Sequence, residues 1–393
     1  MSKKIYLLCF FLFFSIINAE EKKSVCLNMI VKNETKVIRR CLESARPIID
    51  YWVIVDTGSD DGTQEMIREY MKDIPGELHE RPWINFGHNR NEALQLAKGK
   101  GDYLLFIDAD EIFVYEPNFK LPDLDKDFYH VMTDFNGMTY ARVQLINNHL
   151  DWRWIGVLHE TLDSKDARTN QVLYGINDRV YTDGARSQDP DKYKKDAKIL
   201  EEGLRNEPDN SRYVFYLAQS YKDAGDYENS LKYYQKRIAM GGWDEELFWS
   251  KLQLGILEEA LKRPPEKVLE RFTDAYYYRP NRMEPLYHMA LFCRTHENYA
   301  LGYLMASLAV KIPLPQDILF VQKWMYDYGA LLELSICAYW IGRYAECAQI
   351  CNQLLKRPDL PQNIRECVTR NLSFAERFVS GHELNLHSIS LSQ

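Results

Sequence analysis

The amino-acid sequence predicts an α/β domain with a mostly parallel sheet, followed by an all-α domain built from helix pairs. Residues 25–112 alternate short apolar runs with amphipathic stretches, which is the pattern of strand–helix–strand units. From Pro190 onward, apolar residues recur at helical spacing, and little after Arg212 alternates as a strand does. The length of 393 residues is sufficient for two or three domains with separate cores.

The elements of the first domain follow from these runs. Short apolar segments bounded by polar residues are typical of buried strands, and stripes of apolar residues at spacings of three and four are typical of helices. The sequence predicts strands at 25–31, 51–55, 77–81 and 103–107, and helices at 34–45, 63–71 and 89–97. Residues 115–190 are assigned to the remaining strands and loops.

A repeated helix-pair pattern marks the second domain. The order of small and large residues in 214–234 returns in 331–347, and it resembles the spacing of tetratricopeptide (TPR) repeats. Residues 249–278 and 285–310 are predicted to form two further, degenerate pairs. One helix pair cannot bury its apolar face alone, so we expect the pairs to stack into a short solenoid.

The chain begins with the features of a secretory signal. Lys3 and Lys4 precede an apolar run at 5–17, which ends at Ala19 before a charged segment. We therefore predict cleavage near Ala19 and entry into the secretory or export pathway. A short uncleaved anchor or a first strand are the alternatives. The run is too short to cross a bilayer comfortably.

Charge and cysteine content exclude some classes of protein. A net charge of −8 argues against a nucleic-acid binder, which normally presents a basic surface. Seven cysteines follow the predicted signal, and this odd number fits poorly with a disulfide framework. Cys347 and Cys351 lie one helical turn apart with no further ligand nearby, and we predict that they are buried core thiols.

Asp108 and Asp110 directly follow the predicted strand at 103–107. Two carboxylates at the exposed end of a buried strand can share a hard divalent ion with a diphosphate, because Mg²⁺ and Mn²⁺ prefer oxygen ligands. Asp123 and Asp125 have the same spacing but follow a proline rather than a strand, and we interpret them as a solvated loop. The position after a strand distinguishes the two pairs.

A second polar segment, residues 56–63, follows the strand at 51–55. Gly58 and Gly62 permit tight turns, and Asp56 lies at the strand's carboxyl end, where its carboxylate could accept a hydrogen bond from a nucleotide base. An ordinary strand–turn–helix junction would have the same composition, so this segment alone leaves both interpretations open.

Taken together, the motifs resemble family 2 glycosyltransferases of the GT-A fold, in particular the subgroup with C-terminal TPR repeats. The resemblance is close over residues 25–255 and is carried by residues 29–34, 53–63, 87–97, 108–111, 154–160, 183–187 and 213–226. It implies a signal at 1–19, a GT-A domain with a Rossmann-like sheet at 24–188, a TPR-like domain at 190–380 and a flexible tail at 381–393.

The resemblance also implies a role for individual residues. The nucleotide and donor site is expected to contain Asn33, Glu34, Asp56, Arg90, Asp108 and Arg186. The metal, Mn²⁺ or Mg²⁺, is expected to be bound by Asp110, Asp108 and His159. Glu160 is the candidate general base, and its alternative role is a structural ion pair with Arg153 or Arg186. Arg186 and Lys192 would close over the diphosphate, and the alternative is that they only contact solvent at a helix terminus.

The resulting functional prediction is a metal-assisted, inverting transfer of a sugar from a nucleotide-diphosphate donor, with UDP as the expected nucleotide. The acceptor is a protein, a glycan or a lipid, and the TPR region is expected to hold a protein or peptide acceptor. Two alternatives stay open. One is a TPR interaction scaffold with an inactive GT-A domain. The other is a GT-A-like nucleotidyltransferase, although residues 29–34 lack the basic glycine-rich loop typical of that class.

Overall fold

The computed structural model describes residues 22–135 and 138–390. The predicted signal at 1–19 lies outside the described residues. Within the described ranges, no helix combines the length and the hydrophobicity that crossing a membrane requires.

The N-terminal domain is built on an eight-stranded sheet with the strand order β3-β2-β1-β4-β7-β6-β10-β5. The first four strands in this order are parallel, and β10 is parallel to β6, so the predicted mostly parallel sheet is confirmed. A separate hairpin pairs β8 with β9. The strands are β1 Val25–Val31, β2 Tyr51–Asp56, β3 Gly76–Glu80, β4 Tyr103–Phe106, β5 Glu111–Tyr115, β6 Phe128–Phe135, β7 Met138–Asn147, β8 Arg153–Ile155, β9 Thr161–Asp163 and β10 Asn170–Val180.

Helices cover both faces of this sheet. Helices α1 (Ile38–Ala45) and α2 (Thr63–Tyr70) pack on the face that carries Leu27, and α3 (Phe86–Leu96) packs on the face that carries Cys26. Successive residues of a strand point to opposite faces, so fully apolar strands such as β1 supply both cores. Helix α1 begins later than predicted, because the amides of Val37 and Ile38 close a turn on the carbonyl of Glu34.

The C-terminal domain consists of helices that pack in chain order. Helices α5 and α6, α7 and α8, α9 and α10, and α11 and α12 form the pairs that the sequence predicts. Two buried clusters run through the stack, so its core is continuous across neighbouring pairs. The helices are α4 Lys192–Asn206, α5 Ser211–Asp223, α6 Tyr227–Met240, α7 Asp244–Ala260, α8 Pro265–Tyr278, α9 Glu284–Thr295, α10 Tyr299–Ala309, α11 Ala330–Trp340, α12 Tyr344–Leu355 and α13 Gln362–Ser390.

Two smaller predictions concern the cysteines and the end of the chain. Cys347 and Cys351 are free, buried thiols, as predicted. The predicted tail from residue 381 overlaps α13, which continues to Ser390.

Candidate active site

The segments that follow β1 and β2 meet at the carboxyl edge of the sheet. The Asn33 amide donates to Ser59 Oγ at 2.8 Å, and the Asn33 side-chain oxygen accepts from the Asp60 amide at 2.9 Å. Asn33 has a φ of +58°, in the left-handed region that asparagine tolerates better than most residues. The Glu34 amide donates to Thr63 Oγ1 at 2.8 Å. These bonds hold the two loops together as one wall.

Asp56 lies fully buried at the end of β2. Its Oδ1 atom accepts from the amides of Gly58 and Ser59, at 2.9 and 2.8 Å, and from the Gln64 side chain. Among the described residues, Oδ2 has no hydrogen-bond partner. A buried carboxylate oxygen without a donor is costly, so this atom is suited to a ligand that brings an N–H group.

Glu34, Asp108 and Asp110 form an acidic cluster beside this wall, and Asp61 is a further acid near Glu34. The pKa of Glu34 is raised to about 7, first by burial and then by the charges of Asp110, Asp61 and Asp108. The pKa of Asp110 is also raised, first by burial and then by the charge of Asp108. Mutual repulsion of this kind is relieved by a cation, and the cluster therefore attracts positive charge.

A loop that follows β10 covers the acids. The Ala185 amide donates to Glu34 Oε2 at 3.2 Å, and Arg40 binds Asp183 with a bond of 2.7 Å between Nη1 and Oδ2. A Cβ atom at Gly184 would lie 2.9 Å from Asp110 Oδ2. Only glycine allows the backbone to approach the carboxylate this closely.

Asp108 is held by two arginines. Its Oδ1 atom accepts from Arg90 Nη2 at 2.6 Å, and its Oδ2 atom lies 3.7 Å from Arg142 Nη2. Burial alone would raise the pKa of Asp108, but the two guanidinium groups outweigh it and hold the pKa at about 2. Asp108 is therefore a stable anion at the centre of the site.

The sequence analysis missed Arg142, which lies on β7. Besides Asp108, it pairs with Glu111 and, at 3.5 Å, with Asp178. Burial raises the pKa of Glu111 to about 8 and that of Asp178 to about 6. A signal was present in the sequence, because Arg142 and Gln144 are polar at alternate positions within the mostly apolar stretch 141–146 and therefore share one face.

His159, which the sequence predicts as a metal ligand, does not form a three-ligand group with Asp108 and Asp110 in the part of the chain that the structure describes. Among the described residues, no three His, Cys, Asp or Glu side chains are arranged to hold a metal ion. The imidazole instead stacks on Tyr216 of α5, with ring centroids 3.9 Å apart. His159 is exposed to solvent. Contact of the ring with the surrounding protein, followed by the charges of Arg186, Arg212 and Lys192, lowers the pKa of the imidazole.

Glu160 forms an ion pair, but with neither of the arginines that the sequence suggested. Its Oε2 atom lies 3.3 Å from Arg90 Nε, and the side chain is only 8% exposed. Arg153 pairs with Asp163 instead, and Arg186 pairs with Asp196. The chain brings Arg90 to Glu160 because α3 packs against β8, just before the loop that carries Glu160.

Arg186 and Lys192 form the opposite, positively charged side of the site. The Arg186 guanidinium lies over the Phe86 ring at 4.3 Å. The pKa of Lys192 is lowered, first by burial and then by Arg186, while Asp110 acts in the opposite direction. Lys192 is thus close enough to interact electrostatically with both Arg186 and Asp110.

Residues 26–191 match the family model described as Glycosyl transferase family 2. The resemblance that the motifs indicated is therefore confirmed for the sheet domain.

Two curated relatives match over segments of different length. The chain is 24% identical over 234 residues to the SPbeta prophage-derived glycosyltransferase SunS of Bacillus subtilis, a match that covers 55% of this chain and 53% of the relative. It is 32% identical over 148 residues to a TPR repeat-containing protein of Synechococcus elongatus, covering 35% of each. The chain thus spans 53% of the length of SunS and 35% of the length of the TPR repeat-containing protein.

The helical domain also has likenesses among solved structures. A tetratricopeptide repeat protein from Parabacteroides merdae aligns with a TM-score of 0.37 at 16% identity, over 51% of this chain and 72% of that chain.

A hard divalent cation requires oxygen ligands, and the acidic cluster of this site supplies them. Mg²⁺ is usually bound through one or two carboxylates and keeps positions open for water and substrate phosphates. Asp110, with Asp108 or Glu34 beside it, offers such a donor set. The pKa values of Glu34 and Asp110 are raised, first by burial and then by the neighbouring carboxylates, and a bound cation would offset that repulsion. The carboxylates present therefore fit the ion, and a part for His159 in binding it stays a prediction.

Proposed function

We propose that this protein is an inverting glycosyltransferase that moves a sugar from a nucleoside-diphosphate donor to an acceptor. One observation carries the proposal: the carboxyl edge of a parallel sheet places the unpaired Asp56 oxygen next to an acidic cluster, and a basic pair faces that cluster. Edges of this kind are where open α/β sheets bind nucleotides. The match to family 2 at residues 26–191 supports glycosyl transfer.

The nucleoside is proposed to bind at the wall formed by Asn33 and Asp56. The free Asp56 Oδ2 atom would accept a base N–H, such as N3–H of uracil, which is why UDP is the first nucleotide to test. The side-chain oxygen of Asn33 already accepts a hydrogen bond from the Asp60 amide. We therefore propose that Asn33 holds the wall in place and does not bind the base directly.

The diphosphate is proposed to lie between the acidic and the basic side. A bound Mn²⁺ or Mg²⁺ would supply Lewis-acid stabilisation of the departing diphosphate. Asp110 and Asp108 would hold the ion, and Arg90 keeps Asp108 ionised for that purpose. Arg186 and Lys192 would add positive charge from the other side as the leaving group develops negative charge.

Direct displacement needs a group that accepts the acceptor's proton. Glu160 stays our candidate: burial raises the pKa of its carboxyl, and within the described part of the chain its Oε1 atom accepts no hydrogen bond. Its buried position means that the acceptor must reach into the site. Glu160→Gln is expected to abolish transfer while nucleotide binding persists.

The acceptor is proposed to be a protein or peptide that approaches between the sheet and the helical repeats. A cavity of about 430 Å³ lies there, and its lining combines Asp178 and Arg179 of β10 with Lys323, Trp324 and Asp327 of the repeat domain. Asp178 is linked through Arg142 to Asp108, so the cavity adjoins the proposed donor site.

The experiment is a thermal-shift and calorimetric screen of the full chain against UDP, GDP and their sugar conjugates, with and without Mn²⁺. A ligand at 100 times its Kd stabilises by about 2.7 kcal/mol, which such an assay detects. Asp56→Asn replaces the free oxygen by an NH₂ group that repels a base N–H, and it should weaken the best nucleotide about 10- to 100-fold.

Asp60→Asn is the matched control, because Asp60 is exposed in the same loop. Its affinity should equal that of the wild type. Binding of no nucleotide to the wild type, or equal affinity in Asp56→Asn, would remove the basis of the proposal.

A further inference from the structure

The loop that carries His159 and Glu160 is enclosed from two domains. On the sheet side, the Asn91 side chain of α3 makes two bonds of 2.8 Å with the backbone of Trp154, one to its carbonyl and one from its amide. A Cβ atom at Gly87 would lie 2.2 Å from the Gly156 carbonyl oxygen, so α3 is in direct contact with the loop. These contacts fix the start of the loop.

The repeat side holds the rest of the loop through α5. Arg212 Nε donates to the His159 carbonyl oxygen at 3.0 Å. Four residues later, Tyr216 stacks on the His159 ring with an interplanar angle of 15°. Positions four apart share one face of a helix. A single face of α5 therefore contacts both the backbone and the side chain of His159.

The backbone conformation of His159 is one that the surrounding contacts must stabilise. Its φ of +54° lies in the left-handed region, which residues other than glycine adopt uncommonly and retain where the surroundings determine it. The preceding residue, Leu158, is buried in a small core with Leu200 of α4 and with Tyr213 and Leu217 of α5. Both the strained residue and its anchor therefore depend on the repeat domain.

We infer that the first repeat helix is part of the active site, with Arg212 and Tyr216 acting as positioning residues for the His159–Glu160 loop. The inference rests on the proposed function, and it gives the repeat domain a role beyond holding an acceptor. Because Glu160 follows His159 directly, the direction of its carboxylate depends on the same contacts of Arg212 and Tyr216 with His159. A change in the packing of α5 would then alter both residues together.

The test measures the orientation of His159 and the catalytic rate separately. The full chain, with its nine histidines isotopically labelled, is studied by NMR, and the His159 signals are assigned with a His159→Gln variant. Stacking on Tyr216 displaces the imidazole proton signals upfield through the ring current. Tyr216→Phe keeps the ring, whereas Tyr216→Leu removes it.

Tyr277→Leu is the matched control, because Tyr277 lies on α8 and is 79% exposed. In Tyr216→Leu we expect the His159 signals to lose their upfield displacement. We also expect kcat for sugar transfer to fall on the order of 10²-fold, as for other small displacements of a catalytic geometry, with a smaller change in donor KM. Tyr216→Phe and Tyr277→Leu should retain both the signals and the rate.

Wild-type His159 signals without an upfield displacement would overturn the inference. So would a Tyr216→Leu variant whose signals move while kcat is unchanged. If Tyr216→Leu unfolds, Arg212→Gln decides by the same two measurements, because it removes the guanidinium that donates to the His159 carbonyl and lies 4.9 Å from the centroid of the Tyr216 ring. The NMR result is independent of activity, so absence of glycosyl transfer in the wild type would contradict the proposed function without deciding the position of His159.

Discussion

Arg90 offers the sharpest prediction about what holds the site together. Its guanidinium is 11% exposed, and it lies 2.6 Å from Asp108 Oδ1 and 3.3 Å from Glu160 Oε2. The change Arg90→Met keeps an unbranched apolar stem and removes the charged guanidinium. It leaves Glu160, which is 8% exposed, without its cation, whereas Asp108 is 37% exposed and keeps Arg142.

The magnitude follows from this difference in burial. Removing one partner of a buried ion pair costs about 3–5 kcal/mol, because the remaining charge is desolvated and uncompensated. Water and Arg142 both relieve Asp108, so most of the cost falls on Glu160, and we expect Arg90→Met to lower the free energy of unfolding by about 3 kcal/mol. The double variant Arg90→Met with Glu160→Met removes the stranded charge and should recover to within about 1 kcal/mol of the wild type.

The assay is urea denaturation followed by circular dichroism, with Arg153→Met as the control. Arg153 is 62% exposed and lies 3.3 Å from Asp163, which is 43% exposed, so its pair should contribute only about 0–1 kcal/mol. If Arg90→Met were no less stable than Arg153→Met, or if the double variant recovered nothing, the charge arrangement described here would be refuted.

Three further changes test other parts of the structure. Gly184→Ala places a Cβ atom 2.9 Å from Asp110 Oδ2, and calorimetry should show weakened Mn²⁺-dependent nucleotide binding with an unchanged Tm; unaltered binding would contradict the close approach. Gly255→Ala places a Cβ atom 2.4 Å from the Phe272 ring. We expect Tm to fall, because overpacking costs about 1–3 kcal/mol and outweighs the usual gain from replacing a helical glycine. A rise in Tm would show that α7 and α8 are less tightly packed. Hydrogen bonds from Lys100 and then His79 lower the pKa of Glu77 to about 2, below its ordinary value of 4.5, so its stabilising effect is present above pH 4.5 and is lost as the pH falls towards 2. Glu77→Gln should therefore lower Tm at pH 7 and converge on the wild type only as the pH approaches 2, and a Tm difference that is independent of pH would contradict this.

The part of the fold that the sequence predicts well is the part that depends on local patterns. Apolar runs such as 25–31 and 103–107 are typical of buried strands, and the parallel arrangement then brings Asn33, Asp56 and Asp108 to one edge. Asp123 and Asp125, which share the spacing of Asp108 and Asp110, are exposed in the loop between β5 and β6, as their position predicts.

What the sequence could not predict depends on contacts between distant segments. The ring orientation of His159 is determined by Tyr216, a residue of the following domain. The partner of Glu160 is Arg90, 70 residues earlier, and both residues are brought together only when α3 packs beside the loop that begins at Trp154. The role of Arg142 depends on which strands neighbour β7, and that order is a property of the folded sheet.

The most direct test of the central claim compares donor hydrolysis by the wild type, Asp110→Asn and Asp123→Asn, with the best-bound nucleotide sugar and a series of Mn²⁺ concentrations. Both substitutions remove one carboxylate charge, but Asp123 is exposed in a loop while Asp110 lies in the acidic cluster. We predict that Asp110→Asn lowers the rate at least about 100-fold and raises the Mn²⁺ requirement, whereas Asp123→Asn leaves both unchanged. Equal rates and equal Mn²⁺ dependence in all three proteins would contradict the account.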